Sequence, residues 1–127
     1  MKLTEENYVE LAEKAIKKIC SENGRQISPV TTSKIRNLLA MTANIYNDVV
    51  NSQNEKLSQD IIGRINYMKI RFVYEAGREP KVKKLVEEAE ILLHIEEIKG
   101  SRKQYILFSR YMEALVAYRK YYGGKDE

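Results

Sequence analysis

The hydrophobic residues of this chain recur at spacings of three and four over most of its length, which is the period of an amphipathic α-helix. Capping and helix-breaking residues divide the pattern into five segments of similar length, at residues 4–24, 31–50, 58–77, 80–100 and 101–124. Short connections between helices favour antiparallel neighbours that each bury one face. The pattern therefore predicts an all-α fold, a compact bundle of about five helices that forms a single domain over residues 1–127.

The ends of the five predicted helices carry recognisable signals. The predicted N-terminal residues are Thr4 as an N-cap, a capping cluster of Thr31, Thr32 and Ser33, Ser58 as an N-cap, Pro80 in a first turn, and Ser101 near the start of the last helix. Within the cluster, Thr32 is interpreted as a cap. The predicted stops are Asn23 with Gly24, Gly77, Gly100, and Gly123 with Gly124.

Each predicted helix has an inner face of apolar residues, and we expect these faces to form the core of the bundle. Along the chain the faces are Tyr8, Ala12, Ala15, Ile16 and Ile19; Ile35, Leu38, Leu39, Thr42, Ile45, Tyr46, Val49 and Val50; Ile61, Ile65, Met68, Phe72 and Ala76; Val82, Leu85, Val86, Ala89, Leu92 and Leu93; and Phe108, Tyr111, Leu115, Tyr118 and Tyr122. The chain has no alternating pattern of useful strand length.

Composition narrows the class of protein without identifying it. Of the 127 residues, 43% are hydrophobic and 31% are charged, a balance typical of a globular domain and not of a disordered segment. The single cysteine, Cys20, excludes an internal disulfide, and the single histidine, His94, excludes a Cys/His zinc cluster. Acidic residues near the N-terminus replace the apolar stretch of a signal peptide, and no segment approaches the roughly 20 apolar residues of a membrane span. We therefore expect a protein of the reducing cytoplasm, with no membrane partner, no metal and no cofactor.

The net charge of +4 conceals an uneven distribution along the chain. Residues 64–84 contain seven basic and two acidic residues, residues 85–98 contain five acidic and no basic residues, and residues 99–127 contain seven basic and three acidic residues. Two basic regions, on the third and fifth predicted helices, thus flank an acidic one. A basic region on a small protein permits a polyanionic partner such as nucleic acid.

The third predicted helix combines basic and aromatic residues at a regular interval. Arg64, Arg71 and Arg78 recur every seven residues, as do Tyr67 and Tyr74 beside them. At about 100° per residue the arginines form one stripe opposite the apolar face, with successive members roughly 10 Å apart. This stripe fits contacts with RNA phosphates, while the tyrosines offer stacking faces to unpaired bases.

An alternative interpretation of this helix needs no nucleic acid. The arginines would pair with acids such as Glu75 and Glu79, and the tyrosines would be half buried against a neighbouring helix. Lys81, Lys83 and Lys84 extend the basic region at the start of the fourth helix, where the helix dipole disfavours cations. They fit either an external anion or a cluster that keeps the protein soluble.

The fifth predicted helix has a face of basic, small and aromatic residues, namely Lys103, Arg110, Ala114, Ala117 and Tyr121. Small side chains allow close packing. The alanines fit either a protein partner or another helix of the same bundle.

The sequence offers little from which an active site can be assembled. His94 lies between two apolar residues, where a packed imidazole is more typical than a general base. Cys20 lies near a helix end and is interpreted as a small buried hydrophobic residue. The acidic residues at 87–97 lack the Glu-x-x-His arrangement of metal sites in helical bundles. We therefore predict that the chain is not an enzyme.

Three stretches resemble the small subunit of the type III-A CRISPR effector complex, the Csm family. They are residues 31–38 (TTSKIRNL), residues 69–78 (KIRFVYEAGR) and residues 108–122 (FSRYMEALVAYRKYY). Their order and spacing also fit the family, so the resemblance covers nearly the whole chain. The Tyr-Glu-Ala-Gly-Arg run is the most specific of the motifs, and the other two support it in combination.

This resemblance implies a small helical protein without activity of its own, present in several copies along the inner side of an antiviral ribonucleoprotein filament whose backbone subunit cleaves RNA. It implies contacts with the duplex of guide RNA and target RNA, with other Csm subunits and with further copies of the chain. The basic positions that match the family motifs are Lys34, Arg36, Lys69, Arg71 and Arg78. Two further RNA-binding candidates, Arg64 and Lys81, rest on the charge pattern alone.

Several assignments stay open at this point. Arg36 and Lys69 are predicted to project toward the more apolar side of their helices and are open to a structural role. Two other functions are also open: a protein-interaction module that assembles through the fifth helix, and a small DNA-binding regulator with Asn37 and Asn44 as base-reading candidates. The motif tyrosines expected to pack within the bundle rather than stack on bases are Tyr74, Tyr111 and Tyr118.

Overall fold

The computed structural model describes residues 2–22, 25–26 and 29–123, and this part of the chain contains six α-helices. They are α1 (Tyr8–Ile19), α2 (Thr32–Asn51), α3 (Gln59–Arg78), α4 (Pro80–Glu88), α5 (Ile91–Glu96) and α6 (Arg102–Tyr121). Between α1 and α2, two short antiparallel strands pair with each other, β1 (Ser21–Glu22) and β2 (Arg25–Gln26). The predicted all-α class is confirmed.

Side-chain caps start three of the long helices. The hydroxyl oxygens of Thr31, Ser58 and Ser101 accept hydrogen bonds from backbone N–H groups three residues later, at 3.3, 3.2 and 3.1 Å. Pro80 occupies the first turn of α4, as predicted. The assignment of Thr32 as a cap is wrong, because its side chain is buried and its hydroxyl oxygen has no hydrogen-bond partner in the described part of the chain.

Other predicted boundaries differ from the structure. Thr4 and Asn7 close a turn that precedes α1, with Thr4 N donating to Asn7 Oδ1 at 2.8 Å and Asn7 N donating to Thr4 Oγ1 at 3.1 Å. Thr4 is therefore not the cap of α1. The predicted stop at residues 23–24 lies outside the described residues, but α1 already ends at Ile19. Gly77 lies inside α3, which continues to Arg78 because the residue before Pro80 is the first that cannot stay helical.

The fourth predicted helix is divided into α4 and α5 by Glu90. This residue adopts a left-handed conformation, with φ 51° and ψ 39°, which ends one helix and changes the rotation of the next. As a result α5 buries Ile91, His94 and Ile95. The predicted burial of Leu93 is therefore wrong, since it is 41% exposed, whereas Leu92 is partly buried against the core.

The left-handed residue leads to a stability prediction. We expect the variant Glu90→Gly to be more stable than Glu90→Ala by about 1 kcal/mol, because a side chain with a Cβ carries a cost of about 1–2 kcal/mol in this conformation and glycine does not. Both variants lack the carboxylate, so the difference between their free energies of unfolding reports the cost of the backbone conformation. Urea denaturation measures it. Greater stability of the alanine variant, the usual order inside a helix, would mean that α4 and α5 are continuous in solution.

Helix α6 packs against α1 and α2 and contributes the largest buried side chains. Tyr105 donates a hydrogen bond to the carbonyl of Thr42 at 2.8 Å, and Tyr111 donates one to the carbonyl of Ala89 at 2.8 Å. Burial of Phe108, Tyr111 and Leu115 is confirmed, whereas Tyr118 and Tyr122 are only partly buried against the core.

Helix α3 lies at the side of the bundle, where it packs against α2, α4 and α5. Its predicted inner face is confirmed, since Ile61, Ile65, Met68, Phe72 and Ala76 are all buried. On α2 the prediction also holds at most positions, but Val50 is 37% exposed. The position of α3 leaves a broad outer surface accessible, and the predicted basic stripe lies next to it.

Candidate functional site

An open groove runs between α2 and α3. It consists of two adjoining pockets of about 650 and 260 Å³ that share Met41 and Arg71. We call it the α2–α3 groove. Four of the seven predicted RNA-binding residues line it: Lys34, Arg64, Arg71 and Arg78. The fold therefore brings one cation of α2 and three of α3 to one continuous surface.

Arg64 is held in place by α2. Its Nη1 donates to Asp48 Oδ2 at 2.6 Å, and its Nη2 donates to the backbone carbonyl of Asn44 at 2.8 Å. The hydrogen bond to Asp48 raises the pKa of the Arg64 guanidinium above its usual value. Because a guanidinium has five N–H donors, these two bonds fix its position and leave donors for an anion in the groove.

Arg71 and Arg78 share one acidic neighbour. Their Nη2 atoms lie 3.9 and 3.2 Å from the carboxylate oxygens of Glu75, and Arg71 also lies over the ring of Tyr74, 5.7 Å from its centroid. Their side chains are 47% and 61% exposed. Lys34 pairs with Glu79 across the groove. Ion pairs this exposed are weak, so a phosphate can replace the carboxylate at small cost.

These contacts agree only in part with the alternative interpretation of α3, in which the helix binds no nucleic acid. The arginines Arg71 and Arg78 do meet Glu75, as the alternative to RNA binding proposed, and Glu79 pairs with Lys34. The expected half burial of the tyrosines is wrong, because Tyr67 is 63% exposed and Tyr74 is 56% exposed. Packing of Tyr74 inside the bundle is wrong for the same reason.

The sequence pattern predicted that the arginines lie opposite the buried face of α3, and this prediction is wrong. At about 100° per residue, Arg71 is one step round the helix from buried Phe72, on the flank that faces α2. The opposite face carries exposed apolar and aromatic residues, which we call the outer stripe: Tyr67, Ile70, Val73 and Tyr74, between 49% and 63% exposed. An exposed apolar surface of this kind is typical of a site that contacts another molecule.

The other three predicted RNA-binding residues lie outside the groove. Lys69 is on the α5 side of α3 and pairs with Glu96 of α5 at 2.7 Å, and this hydrogen bond lowers the pKa of the Glu96 carboxyl. Arg36 is exposed on α2. Lys81 is exposed in the first turn of α4. The pair with Glu96 supports a structural role for Lys69.

Several groove residues were not predicted as RNA-binding sites. Met41, Gln59, Asp60, Gly63 and Met68 line the larger pocket. Asn44, proposed only as a base-reading residue on DNA, lines it too. A groove between two helices needs the pairing of α2 with α3, which no spacing within one helix reveals.

The second basic region contributes less to an exposed site. Arg102 donates to the carbonyls of Val49 and Val50 at 3.1 and 2.9 Å and thereby caps the end of α2. Lys103 and Arg110 are exposed on α6. Ala114 packs against the core, whereas the more exposed end of the predicted face contains Ala117 and Tyr121.

The two residues with the greatest potential for chemistry, His94 and Cys20, pack against the core and do not line the groove. His94 is 3% exposed, its ring meets Tyr111 edge-on at 5.0 Å, and its Nδ1 lies 3.4 Å from Glu97 Oε1. Cys20 is partly buried against the core, and burial raises the pKa of its thiol. Across residues 2–22, 25–26 and 29–123 no group of three or more potential metal ligands occurs. Nor is any helix of these ranges long and apolar enough to cross a bilayer.

His94 makes the stability of the fold dependent on pH. Burial lowers the pKa of its imidazole in the folded state, and the weaker opposing effect comes from Glu97. In the unfolded chain the pKa is about 6.5, so the unfolded state binds the proton first as the pH falls. The contribution of neutral His94 to the free energy of unfolding is therefore complete above about pH 6.5. Below that pH the free energy of unfolding decreases by up to about 1.4 kcal/mol per pH unit, until the pKa of His94 in the folded state is reached.

Urea denaturation between pH 7.5 and 5.5 measures this effect. The variant His94→Phe retains a ring against Tyr111 and cannot titrate, so it serves as the control for the carboxyl groups. We expect the free energy of unfolding to decrease more steeply in the parent protein than in the variant. Equal slopes would show that His94 does not sense pH.

These features define a class of protein: a small all-α protein whose exposed cations from two helices line one groove beside an apolar outer stripe. The family model described as Csm2 Type III-A matches residues 6–125. The chain belongs to this family, the small subunits of type III-A CRISPR effector complexes.

Three relatives show how much of the chain this similarity covers. The chain is 46% identical over 125 residues to the CRISPR system Cms protein Csm2 of Streptococcus thermophilus, with 98% of each chain covered. It is 37% identical over 127 residues to the protein of the same name from Mycobacterium tuberculosis (strain CDC 1551 / Oshkosh), with 100% of each covered. For the Enterococcus italicus protein of that name, identity is 38% over 112 residues, 84% of this chain and 80% of the relative. The resemblance found in the sequence motifs is confirmed.

Proposed function

We propose that this chain is a non-catalytic RNA-binding subunit that holds the duplex between guide RNA and target RNA in a type III-A CRISPR ribonucleoprotein. The observation that carries the proposal is the α2–α3 groove, where Lys34, Arg64, Arg71 and Arg78 line one surface. We place this activity in a single domain, in the cytoplasm and in antiviral defence.

The spacing of the groove cations supports a contact with a phosphate backbone. Arg64, Arg71 and Arg78 are seven residues apart along α3, which corresponds to roughly 10 Å between successive side chains. Side chains at this spacing follow a strand over several nucleotides and bind charge without reading sequence. RNA duplexes are recognised in this way, by shape and by their phosphates and hydroxyl groups.

The predicted residues differ in the role we propose for them. Lys34, Arg64, Arg71 and Arg78 contact RNA in the groove. Arg36 and Lys81 are exposed outside it and add to the positive potential that attracts RNA. Lys69 lies outside the groove, where it pairs with Glu96 of α5, and we propose a structural role for it instead of an RNA contact.

The outer stripe supports the proposed protein partners, which are other Csm subunits and further copies of this chain. Ile70, Val73 and Tyr74 of the stripe expose an apolar surface beside the groove, while Tyr67 also lines the groove itself. Aromatic and apolar side chains of this kind form the centres of protein interfaces. The stripe also favours a second candidate function, a protein-interaction module, for which we propose a contact on α3 instead of the fifth predicted helix.

Salt dependence of RNA binding tests the proposal. If three phosphates are neutralised per copy, the affinity of the isolated chain for single-stranded RNA decreases with salt at a log-log slope of about −2, because each contact contributes about 0.7. Fluorescence polarisation over a salt series measures the slope. A slope near zero, or no binding at low salt, would contradict direct RNA contact by the lone subunit.

Two sets of variants separate the two candidate functions. Neutral replacements at the groove arginines are expected to lower RNA affinity and leave assembly with other subunits intact. Ile70→Ser on the outer stripe, paired with Val9→Ser as a control at an exposed apolar residue of α1, is expected to weaken assembly and leave RNA affinity unchanged. Co-purification of the complex and RNA titration provide the two measurements. Loss of assembly in the groove variants, with RNA affinity unchanged, would support the interaction module instead.

A further inference from the structure

The larger pocket of the α2–α3 groove contains more than a track of cations. Its floor is apolar, formed by Ile45 and Met68, which are 4% and 3% exposed, and by partly buried Met41. The ring of exposed Tyr67 forms one wall. A phosphate backbone alone would gain nothing from an apolar floor and an aromatic wall, because phosphates bind to charged and polar groups.

We propose that this pocket binds one unpaired nucleobase of the RNA. The inference rests on the proposed RNA-binding function and deepens it, because it names the part of the nucleic acid that enters the groove. Unpaired bases are recognised by apolar and aromatic surfaces that cover their faces and by a few polar groups at their edges. The pocket volume of about 650 Å³ lies inside the range of roughly 300–1,000 Å³ typical of small-molecule sites.

Polar groups also line the pocket. Gln59 and Asp60, in the first turn of α3, supply an amide and a carboxylate, and Asn44 supplies a second amide. These groups can accept from and donate to the edge of a base, and a carboxylate accepts from an exocyclic amino group.

Two arginines line the same pocket. Arg64 is fixed by Asp48 and Asn44, and Arg71 is only loosely paired with Glu75, at 3.9 Å. The arrangement matches one nucleotide, with its base over the apolar floor and its flanking phosphates beside the two arginines. An apolar side chain of a protein partner would not use the remaining donors of the arginines or the polar side chains that line the pocket.

Gly63 adds no side chain to the pocket that it lines. It lies inside α3 and lines the pocket, and a Cβ at this position would meet nothing within 4 Å. Packing within the fold therefore does not require a glycine, although glycine weakens a helix relative to alanine. A large side chain at this position would extend into the pocket or its mouth, and alanine would not.

The experiment uses the full chain with two RNA duplexes, one fully paired and one with a single unpaired 2-aminopurine. We expect the parent protein to bind the duplex with the unpaired base about tenfold more tightly, since base stacking on a protein ring contributes roughly 5- to 150-fold. We also expect the 2-aminopurine fluorescence to change on binding. Gly63→Phe should abolish the preference and the fluorescence change but retain binding of the paired duplex, and Gly63→Ala should behave as the parent.

A second variant guards against misfolding of Gly63→Phe. Tyr67→Leu removes the aromatic wall at an exposed position and should reduce the preference for the unpaired base by about tenfold, with unchanged circular dichroism. Equal affinity for both duplexes in the parent, with normal salt dependence, would overturn the base pocket and leave the RNA-binding function intact. Binding of neither duplex would instead overturn the proposed function. If Gly63→Phe binds both duplexes equally more weakly than the parent, the pocket binds the RNA phosphate backbone and not a base. If Gly63→Phe loses only its assembly with other subunits, the pocket binds a side chain of a protein partner. Either outcome overturns the inference.

Discussion

Replacing both Arg71 and Arg78 with glutamine is expected to lower RNA affinity about 25-fold at about 100 mM monovalent salt. Each lost phosphate contact reduces the log-log salt slope by about 0.7, which corresponds to a factor of roughly 5 in affinity at this salt concentration. The log-log salt slope should change from about −2 to about −0.7. Both side chains are largely exposed and pair only with Glu75 in the described part of the chain. Their loss should therefore leave the fold stable. Arg64 is left in place because it also joins α3 to α2.

The matched control removes the same charge from another surface. Lys103 and Arg110 are exposed on α6, so the pair Lys103→Gln and Arg110→Gln has the same net charge as the groove variant. We expect its RNA affinity to stay within about twofold of the parent, because salt screens charges that lie farther than a Debye length from the bound strand. An equal loss of affinity in both double variants would show that RNA responds to net charge and not to the groove.

Replacing Phe72 with alanine is expected to destabilise the protein by about 3–5 kcal/mol. Phe72 has 0% exposure and lies on the buried face of α3, between the groove flank and the α5 flank. Truncation loses the transfer free energy of the ring and leaves a cavity that the surrounding helices fill only in part. The expected loss is a large fraction of the stability of a domain of this size. Urea denaturation by circular dichroism measures it.

Tyr74→Ala is the control on the same helix. Its ring is 56% exposed, so we expect a change in the free energy of unfolding within about 0.5 kcal/mol. If both variants lose similar stability, α3 packs in solution with a different face toward the core. That result would also move the arginines away from α2 and contradict the groove.

Spacing predicted the buried face of α3 correctly because one helix determines which of its residues share a side. The same spacing placed the arginines opposite that face, although they lie on its flank. A helix also has two flanks, and the choice of neighbour on each flank depends on the partner helix. Arg64 contacts Asp48 and Asn44 of α2, and nothing within α3 encodes that contact.

The fourth predicted helix shows a second limit of local pattern. Residues 80–100 have apolar residues at helical spacings throughout, but Glu90 takes a left-handed conformation without being a glycine. The break lets α5 bury His94 against Tyr111 of α6 and leaves Leu93 exposed. Tertiary packing of α5 outweighed the preference of one residue, and a local pattern contains no information on that balance.

The sequence by itself determined the all-α class, most helix starts, most of the core and the family, because capping residues, helical spacing and motif residues act through neighbours along the chain. The tertiary structure decided where α4 ends, which cations meet, that Lys69 is paired with α5, and that Lys34 joins three arginines in one groove. Those outcomes depend on which helices pack side by side. Residues distant along the chain become neighbours only when the core of the whole bundle has formed.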